Sequence, residues 1–305
     1  MVERKTPVPA TKKLIGGVLV NPVHLVMPHY NGHHDIIRAY ISVMERTNYP
    51  FILTMIDDGS KHDDEGWNFL NDLNNSIEKP NNVNIIFNEK NVGVTPNLNK
   101  GFFMYPELDC VRLDADIEIQ SINWLNELVD FGMQNPKVGI VAPIGVEIDM
   151  VTIQTAGQWL VISPEDYATV PNFNFEIFDM MGVSRFNVRE PKEVDSCLGC
   201  CSYIKREVLD KLGGVDEKYF GWVEDNDQCV GARSIGYKCF VLPSISYCHH
   251  HHKPKRPTSE RNSILEASEK RFIEKWGFSL YAPVHYWDDI KKRYEGTEIF
   301  WRYNK

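Results

Sequence analysis

The feature that most restricts the fold is an alternation, through the first 116 residues, of short apolar runs with segments spaced for helices. Residues 23–27, Val-His-Leu-Val-Met, form a continuous run of the kind buried on both faces of a sheet, and Pro28 is expected to stop it. Asp35–Arg46 then sets Ile36, Ile37, Tyr40, Ile41 and Met44 on one helix face, and residues 51–56 form a second run ending in Asp57-Asp58-Gly59-Ser60. The unit recurs. Residues 67–77 read as a helix, Val83–Phe87 as a strand, 96–104 as the start of a helix, and Cys110–Leu113 as a strand ending at Asp114-Ala115-Asp116. Such alternation predicts an α/β fold with a doubly wound, mostly parallel sheet. Ligands in these folds collect at the carboxyl ends of the strands, where the polar clusters at 28–31, 57–60 and 114–116 fall.

The rest of the chain is less periodic. A strand is expected at 138–141, followed to about 195 by irregular Gly-, Pro- and aromatic-rich sequence. Helices are expected at 207–212, Glu224–Ser234 and 259–276, a strand at 238–242 ends before a turn at Pro243, and the tail is aromatic-rich. Residues 1–20 read as a loose lead-in. At 305 residues the chain has room for one large α/β domain with an extension or for two ordinary ones.

Charge and composition exclude some classes. The balance of 33 basic and 42 acidic residues, −9, disfavours general nucleic-acid binding. No apolar run approaches the roughly 18–20 residues of a membrane span, and the charged, proline-containing opening is unlike a secretory leader. Seven unevenly spaced cysteines suit reduced thiols, so a cytoplasmic setting is expected.

Asp114 and Asp116, two apart as the chain leaves a strand, can both turn toward one ligand. Mg²⁺ and Mn²⁺ use few protein carboxylates and take other ligands from water and phosphates, so a sparse Asp pair suits a metal–diphosphate site. Taken alone, the pair is weak evidence, and two solvated turn residues are the favoured reading.

The motifs occur in an order that resembles the inverting glycosyltransferases of the GT-A fold, the large family that includes cellulose, chitin and rhamnan synthesis enzymes. The resemblance covers about residues 23–252. It rests on the Pro28–Asn31 opening, Asp57-Asp58-Gly59-Ser60, Asn91-Val92-Gly93 with Asn97 and Gly101, Asp114-Ala115-Asp116, Leu198-Gly199-Cys200, Gly213-Gly214-Val215-Asp216 and Glu224-Asp225. It implies a GT-A domain over 21–255, with a nucleotide-binding half at 21–118 and an acceptor half at 119–255, and a C-terminal helical extension at 256–305. It also implies a nucleoside-diphosphate sugar donor, UDP-sugar favoured, held by Pro28, Tyr30, Asn31, Asp58, Asn91, Gly93, Asn97, Asp114 and Ala115. Asp114, Asp116 and one of the four histidines from His249 would hold Mn²⁺ or Mg²⁺. Asp225, or Glu224, would be the base that takes the acceptor hydroxyl proton. Acidic residues opening a helix also suit its dipole without any catalytic role.

Other readings remain beside this one. Cys197, Cys200, Cys201, Cys248 and His249 would suit structural zinc, but the second Cys pair that such sites show is missing. Trp159, Tyr219, Phe220 and Trp222 are either core or sugar-stacking aromatics. Lys253, Lys255 and Arg256 either neutralise phosphate or are solvated. A nucleotidyltransferase would use a similar sheet, yet residues 28–32 carry no Lys or Arg. A non-catalytic nucleotide-sugar-binding module and sugar transfer to a modified base in viral DNA are the remaining alternatives. The acceptor, with a glycan favoured, and the oligomeric state are not legible.

Overall fold

A computed structural model describes residues 9, 11–15, 17–158, 185–187, 189–250 and 258–276. The elements in chain order are β1 (Lys13–Ile15), β2 (Val18–Val20), β3 (Val23–His29), α1 (Asp35–Arg46), β4 (Phe51–Asp57), α2 (Glu65–Asn75), β5 (Val83–Phe87), α3 (Val94–Phe102), β6 (Cys110–Leu113) and β7 (Ile117–Ile119). They continue with α4 (Trp124–Gln134), β8 (Val138–Val146), β9 (Ile153–Thr155), β10 (Lys192–Val194), β11 (Cys201–Ile204), α5 (Arg206–Leu212), α6 (Glu224–Ser234), β12 (Lys238–His249) and α7 (Thr258–Trp276).

The main sheet runs β10-β12-β8-β11-β6-β3-β4-β5. Strands β3, β4, β5 and β6 pair in parallel, as do β8 and β12, whereas β11 runs against both β6 and β8 and β10 runs against β12. The mostly parallel α/β sheet expected from the sequence is present. From β3 the chain winds outward through β4 and β5, then returns to the other side of β3 as β6. That reversal is a topological switch, and it opens a crevice beyond the strand ends.

Three features of the sheet bring distant sequence to this crevice. Because β11 is antiparallel to β6, with Cys201 opposite Leu113, the 198–200 loop arrives where β6 ends, and the Cys200 carbonyl accepts from the Asp114 amide at 2.8 Å. Because β12 runs antiparallel to β7, with His249 opposite Ile117, the end of β12 meets Asp116, whose carbonyl accepts from the His250 amide. Helix α3 packs tightly under the crevice, since a Cβ on Gly101 would lie 2.3 Å from Val26 Cγ1.

Several local expectations are corrected. Pro28 does not stop β3, which runs on to His29; a proline removes only a donor, and the strand end tolerates that. Nor does Pro243 end β12, which continues to His249 across a register shift between Leu242 and Ser246. A bulge of this kind absorbs the proline without ending the pairing. The lead-in contains the β1–β2 hairpin, closed through Gly17 at φ +85°, a backbone turn that glycine adopts freely. Helix α4 was not expected, although Trp124, Leu125, Leu128, Val129 and Gly132 fall on one buried stripe. Within the irregular stretch the structure places the long β8 and short β9 and β10. Among the described residues no helix is long and apolar enough to cross a membrane.

Candidate active site

The crevice beyond the strand ends has a volume of about 760 Å³. The end of β3 contributes Pro28, His29 and Tyr30, and the β4 end contributes Asp58. The loop into α3 brings Asn91, Gly93, Val94 and Asn97, and β6 delivers Arg112, Asp114, Ala115 and Asp116. Opposite stand Gln158, the 198–200 loop, residues 220–226, His249, and Ile264 and Leu265 of α7. Of the residues expected from the sequence to hold the donor or serve as the base, Asn31 alone does not line the crevice. Its side-chain oxygen accepts from the Lys61 amide and its own amide donates to Ser60, so it braces the turn after β4.

Asp58 holds a loop as well as facing the crevice. One carboxylate oxygen accepts from the Val92 amide and the Asn88 side chain, and the other accepts from the Gly93 amide, each at 2.9–3.0 Å. A carboxylate has roughly four acceptor positions, so about one remains for a ligand donor. Asn97 is buried, accepting from Asn88 at 2.7 Å and donating to the Gly93 carbonyl at 2.8 Å. Gly93 sits at φ +95°, and a Cβ there would lie 3.1 Å from the Phe220 ring, so this position needs glycine for both reasons.

The centre of the site is a buried arginine. Arg112 Nη2 lies 2.8 Å from Glu224 Oε1 and its Nε 3.2 Å from Asp114 Oδ1, so one guanidinium ties the acidic strand end to the acidic start of α6. Gly199 lies flat against it; a Cβ there would be 2.5 Å from the guanidinium carbon. Burial opposes the charge on Arg112, but Asp114 and Glu224 outweigh it and hold the proton on. Sequence reasoning missed this residue. Its only signal was an arginine inside an otherwise apolar strand, two positions before Asp114.

Asp225 lies beside this clamp and is partly exposed to the crevice. It accepts from the Gly199 and Asn226 amides, each at 2.9 Å. Burial, and then the charge of Glu224, push its pKa up to about 7 against the pull of Arg112. The chain enters α6 through Trp222 at φ +57° and Val223 at φ +69°. Left-handed backbone is costly for such residues, and strain of this kind gathers at functional sites. Asn226 donates to Gln158 at 2.6 Å and to Ser196 at 3.0 Å, fixing the helix start against the far wall.

On the opposite side His249 Nε2 is 3.4 Å from Asp116 Oδ1. Burial works against protonating His249, but the hydrogen bond and charge of Asp116 win and raise its pKa. His250 turns away to Glu118 at 2.9 Å, while His251 and His252 lie outside the described residues, as do Lys253, Lys255, Arg256 and Trp159. Among the described residues no group of three or more His, Cys, Asp or Glu side chains is arranged to hold an ion unaided. The zinc reading therefore finds no cage. Cys197 packs instead with Cys229, whose sulfur accepts from the Cys197 amide at 3.3 Å, and all seven cysteines are free and buried. The aromatics divide: Tyr219 is core, bonded to Asp227 at 3.2 Å, while Phe220 and Trp222 are exposed on the crevice wall.

The chain is similar in structure to GalNAc-T7, solved with UDP, GalNAc and Mn²⁺, at 19% identity and a TM-score of 0.57, over 88% of this chain and 50% of that one. It is also similar to the mannosyltransferase PcManGT from Pyrobaculum calidifontis, solved with GDP-Man and Mn²⁺, at 17% identity and a TM-score of 0.55, over 89% of this chain and 68% of that one. The chain thus spans about half the length of GalNAc-T7. These likenesses carry the GT-A type of fold. No curated protein sequence matches the chain. The family model described as glycosyl transferase family 2 matches residues 24–213, from β3 to the glycine that ends α5, and stops short of Glu224, Asp225 and His249. With more than half of its length in that match, the chain belongs to glycosyl transferase family 2.

Proposed function

We propose that the protein transfers a sugar, with inversion, from a nucleoside-diphosphate donor to a hydroxyl acceptor, with a divalent cation bound beside the diphosphate. The observation that carries this reading is the meeting, across one crevice, of Asp114 and Asp116 with Glu224 and Asp225 through the shared Arg112. The donor lies along the strand ends, against Pro28, Tyr30, Asp58, Asn91, Gly93 and Ala115, with Asn31 and Asn97 supporting the loops that touch it. UDP is the favoured nucleotide, in keeping with the family resemblance and with the UDP in the GalNAc-T7 structure.

The residues present fit a cation. Among the described residues, six carboxylates line the crevice (Asp35, Asp58, Asp114, Asp116, Glu224 and Asp225) against one arginine, so a bound diphosphate needs added positive charge. Asp116 and His249 would hold Mn²⁺ or Mg²⁺, with Asp114 the less available ligand because Arg112 engages it. When bound, such an ion offsets charge on the departing diphosphate.

Asp225 acts as the base. An acceptor oxygen attacks the anomeric carbon, its proton passes to an Asp225 carboxylate oxygen, and the bond to the phosphate oxygen breaks with its electron pair leaving on the nucleoside diphosphate. One base and one in-line displacement give inversion. A pKa near the working pH suits a general base, and the shift of Asp225 to about 7 supplies it. On this reading residues 21–118 serve the donor and 119–255 the acceptor, for which a glycan is favoured. A cytoplasmic setting keeps the thiols reduced.

The test is release of nucleoside diphosphate from a panel of nucleotide sugars with Mn²⁺ and sugar acceptors. Asp225→Asn should lower turnover by about 10²–10⁴ while UDP binding persists. Release that is unchanged in Asp225→Asn, or absent with every donor, overturns the reading.

A further inference from the structure

The donor side of the crevice carries Asp58, Asn91, Asn97, Arg112, Asp114 and Asp116, whereas its outer wall presents apolar side chains. Ile264 and Leu265, one turn of α7, are half-buried and face the same space as Asp225. Trp222, on the turn that begins the base helix, is 42% exposed beside them, with Arg261 of α7 at 5.9 Å from its ring centre. This wall lies beyond residue 213, where the family match ends.

Helix α7 is firmly fixed here. Arg271 donates to Asp216 at 2.6 and 2.9 Å, Lys275 and Trp276 both reach Asp227 at 2.7 Å, and Ser268 donates to the Gly221 carbonyl at 2.7 Å. Phe272 of the same helix is fully buried. All these anchors fall on residues 216–227, the segment that carries Trp222 and Asp225. The helix is thereby held in a set position relative to the base, and its apolar pair is presented to whatever the base deprotonates.

From this we infer that Ile264, Leu265 and Trp222 form an acceptor subsite for an apolar group next to the reacting hydroxyl. The acceptor class is a glycoside with an aryl or alkyl aglycone rather than a free sugar. A polar sugar leaves two branched aliphatic side chains facing water, whereas an apolar aglycone covers them and gains the transfer free energy of its buried surface. The inference rests on the glycosyltransferase reading above and names its acceptor.

The experiment compares p-nitrophenyl and octyl glycosides with the matching free hexose as acceptors, using whichever nucleotide sugar the wild type consumes with Mn²⁺. The wild type should prefer the octyl glycoside by roughly tenfold or more in kcat/KM, chiefly through KM. Leu265→Ser and Ile264→Ser should each remove roughly five- to tenfold of that preference, with nearly unchanged use of the free hexose and of water. Leu265→Met, which conserves volume, should keep it, and this separates loss of the apolar wall from loss of folding. A wild type without the preference, or serine variants that lose all acceptors equally while Leu265→Met does too, overturns the subsite and leaves the transferase reading intact. No nucleotide release with any donor overturns that reading and the subsite with it.

Discussion

At Asp225 two demands meet in one carboxyl group. Burial and the neighbouring Glu224 charge raise its pKa to about 7, so the carboxylate that the proposed base requires becomes the major form only above neutrality, and kcat should rise with pH along a limb near 7 that Asp225→Asn abolishes. The same shift costs stability. A carboxyl whose folded pKa lies above its unfolded value stabilises the fold below about 3.8, and that contribution is lost as pH rises through about 7. Asp225→Asn should therefore gain stability over the wild type as pH rises from 5 to 8, by on the order of 1–2 kcal/mol once partial exposure is allowed for. Thermal melts at the two pH values check the sign. Gly199→Ala tests the clamp beside it: the new Cβ meets the Arg112 guanidinium at 2.5 Å, so the fold should lose about 1–3 kcal/mol in urea titrations and activity should fall with it. The acidic residues were legible through the ordered motifs of the family resemblance, since Asp114-Ala115-Asp116 or Glu224-Asp225 alone reads as well as turn or helix-cap residues. Arg112 was not, because its partner Glu224 lies 112 residues downstream at the start of α6 and Gly199, which packs against it, arrives through the antiparallel β11.

Periodicity fixes what an element is and says little about what it touches. Helix α7 was expected within one residue of its observed start, yet nothing in its pattern announced that Asp227 of α6 would take up Lys275 and Trp276. The prolines misled for the opposite reason. A missing amide donor reads as a stop in sequence, but in β12 the register shift absorbs it, and the added residues carry His249 to Asp116. The docking of α7 makes a prediction at this scale. Asp227→Ala removes the acceptor shared by the buried Tyr219 hydroxyl, Lys275 and Trp276, and since an orphaned buried donor such as the Tyr219 hydroxyl costs about 1–3 kcal/mol, the melting temperature should drop by several degrees. Limited proteolysis should then cut within α7 before it cuts within β3–β6. Equal susceptibility of both regions would mean that α7 is not held by these contacts.

For the molecule as a whole the deciding quantity is charge. In a chain of net charge −9, the described residues lining the crevice include six carboxylates, one arginine and no lysine. A nucleoside diphosphate entering alone meets repulsion from the walls and from the long-range field together. Binding of UDP followed by calorimetry should therefore be weak in EDTA and should tighten by at least about tenfold with saturating Mn²⁺, a gain of about 1.4 kcal/mol or more. Salt should act in opposite senses in the two conditions. Without the cation, moving from 20 to 200 mM NaCl (about a threefold shorter screening length) should leave UDP affinity unchanged or improve it, because the salt screens a repulsion. With Mn²⁺ present the same change should weaken binding, since an attraction is now screened. Asp116→Asn should erase most of the Mn²⁺-dependent gain and leave the cation-free binding at least as strong, because it removes both a proposed ion ligand and a repelling charge. UDP affinity that is insensitive to Mn²⁺, or that falls with salt in EDTA, would place the diphosphate away from the Asp114–Asp116 strand end.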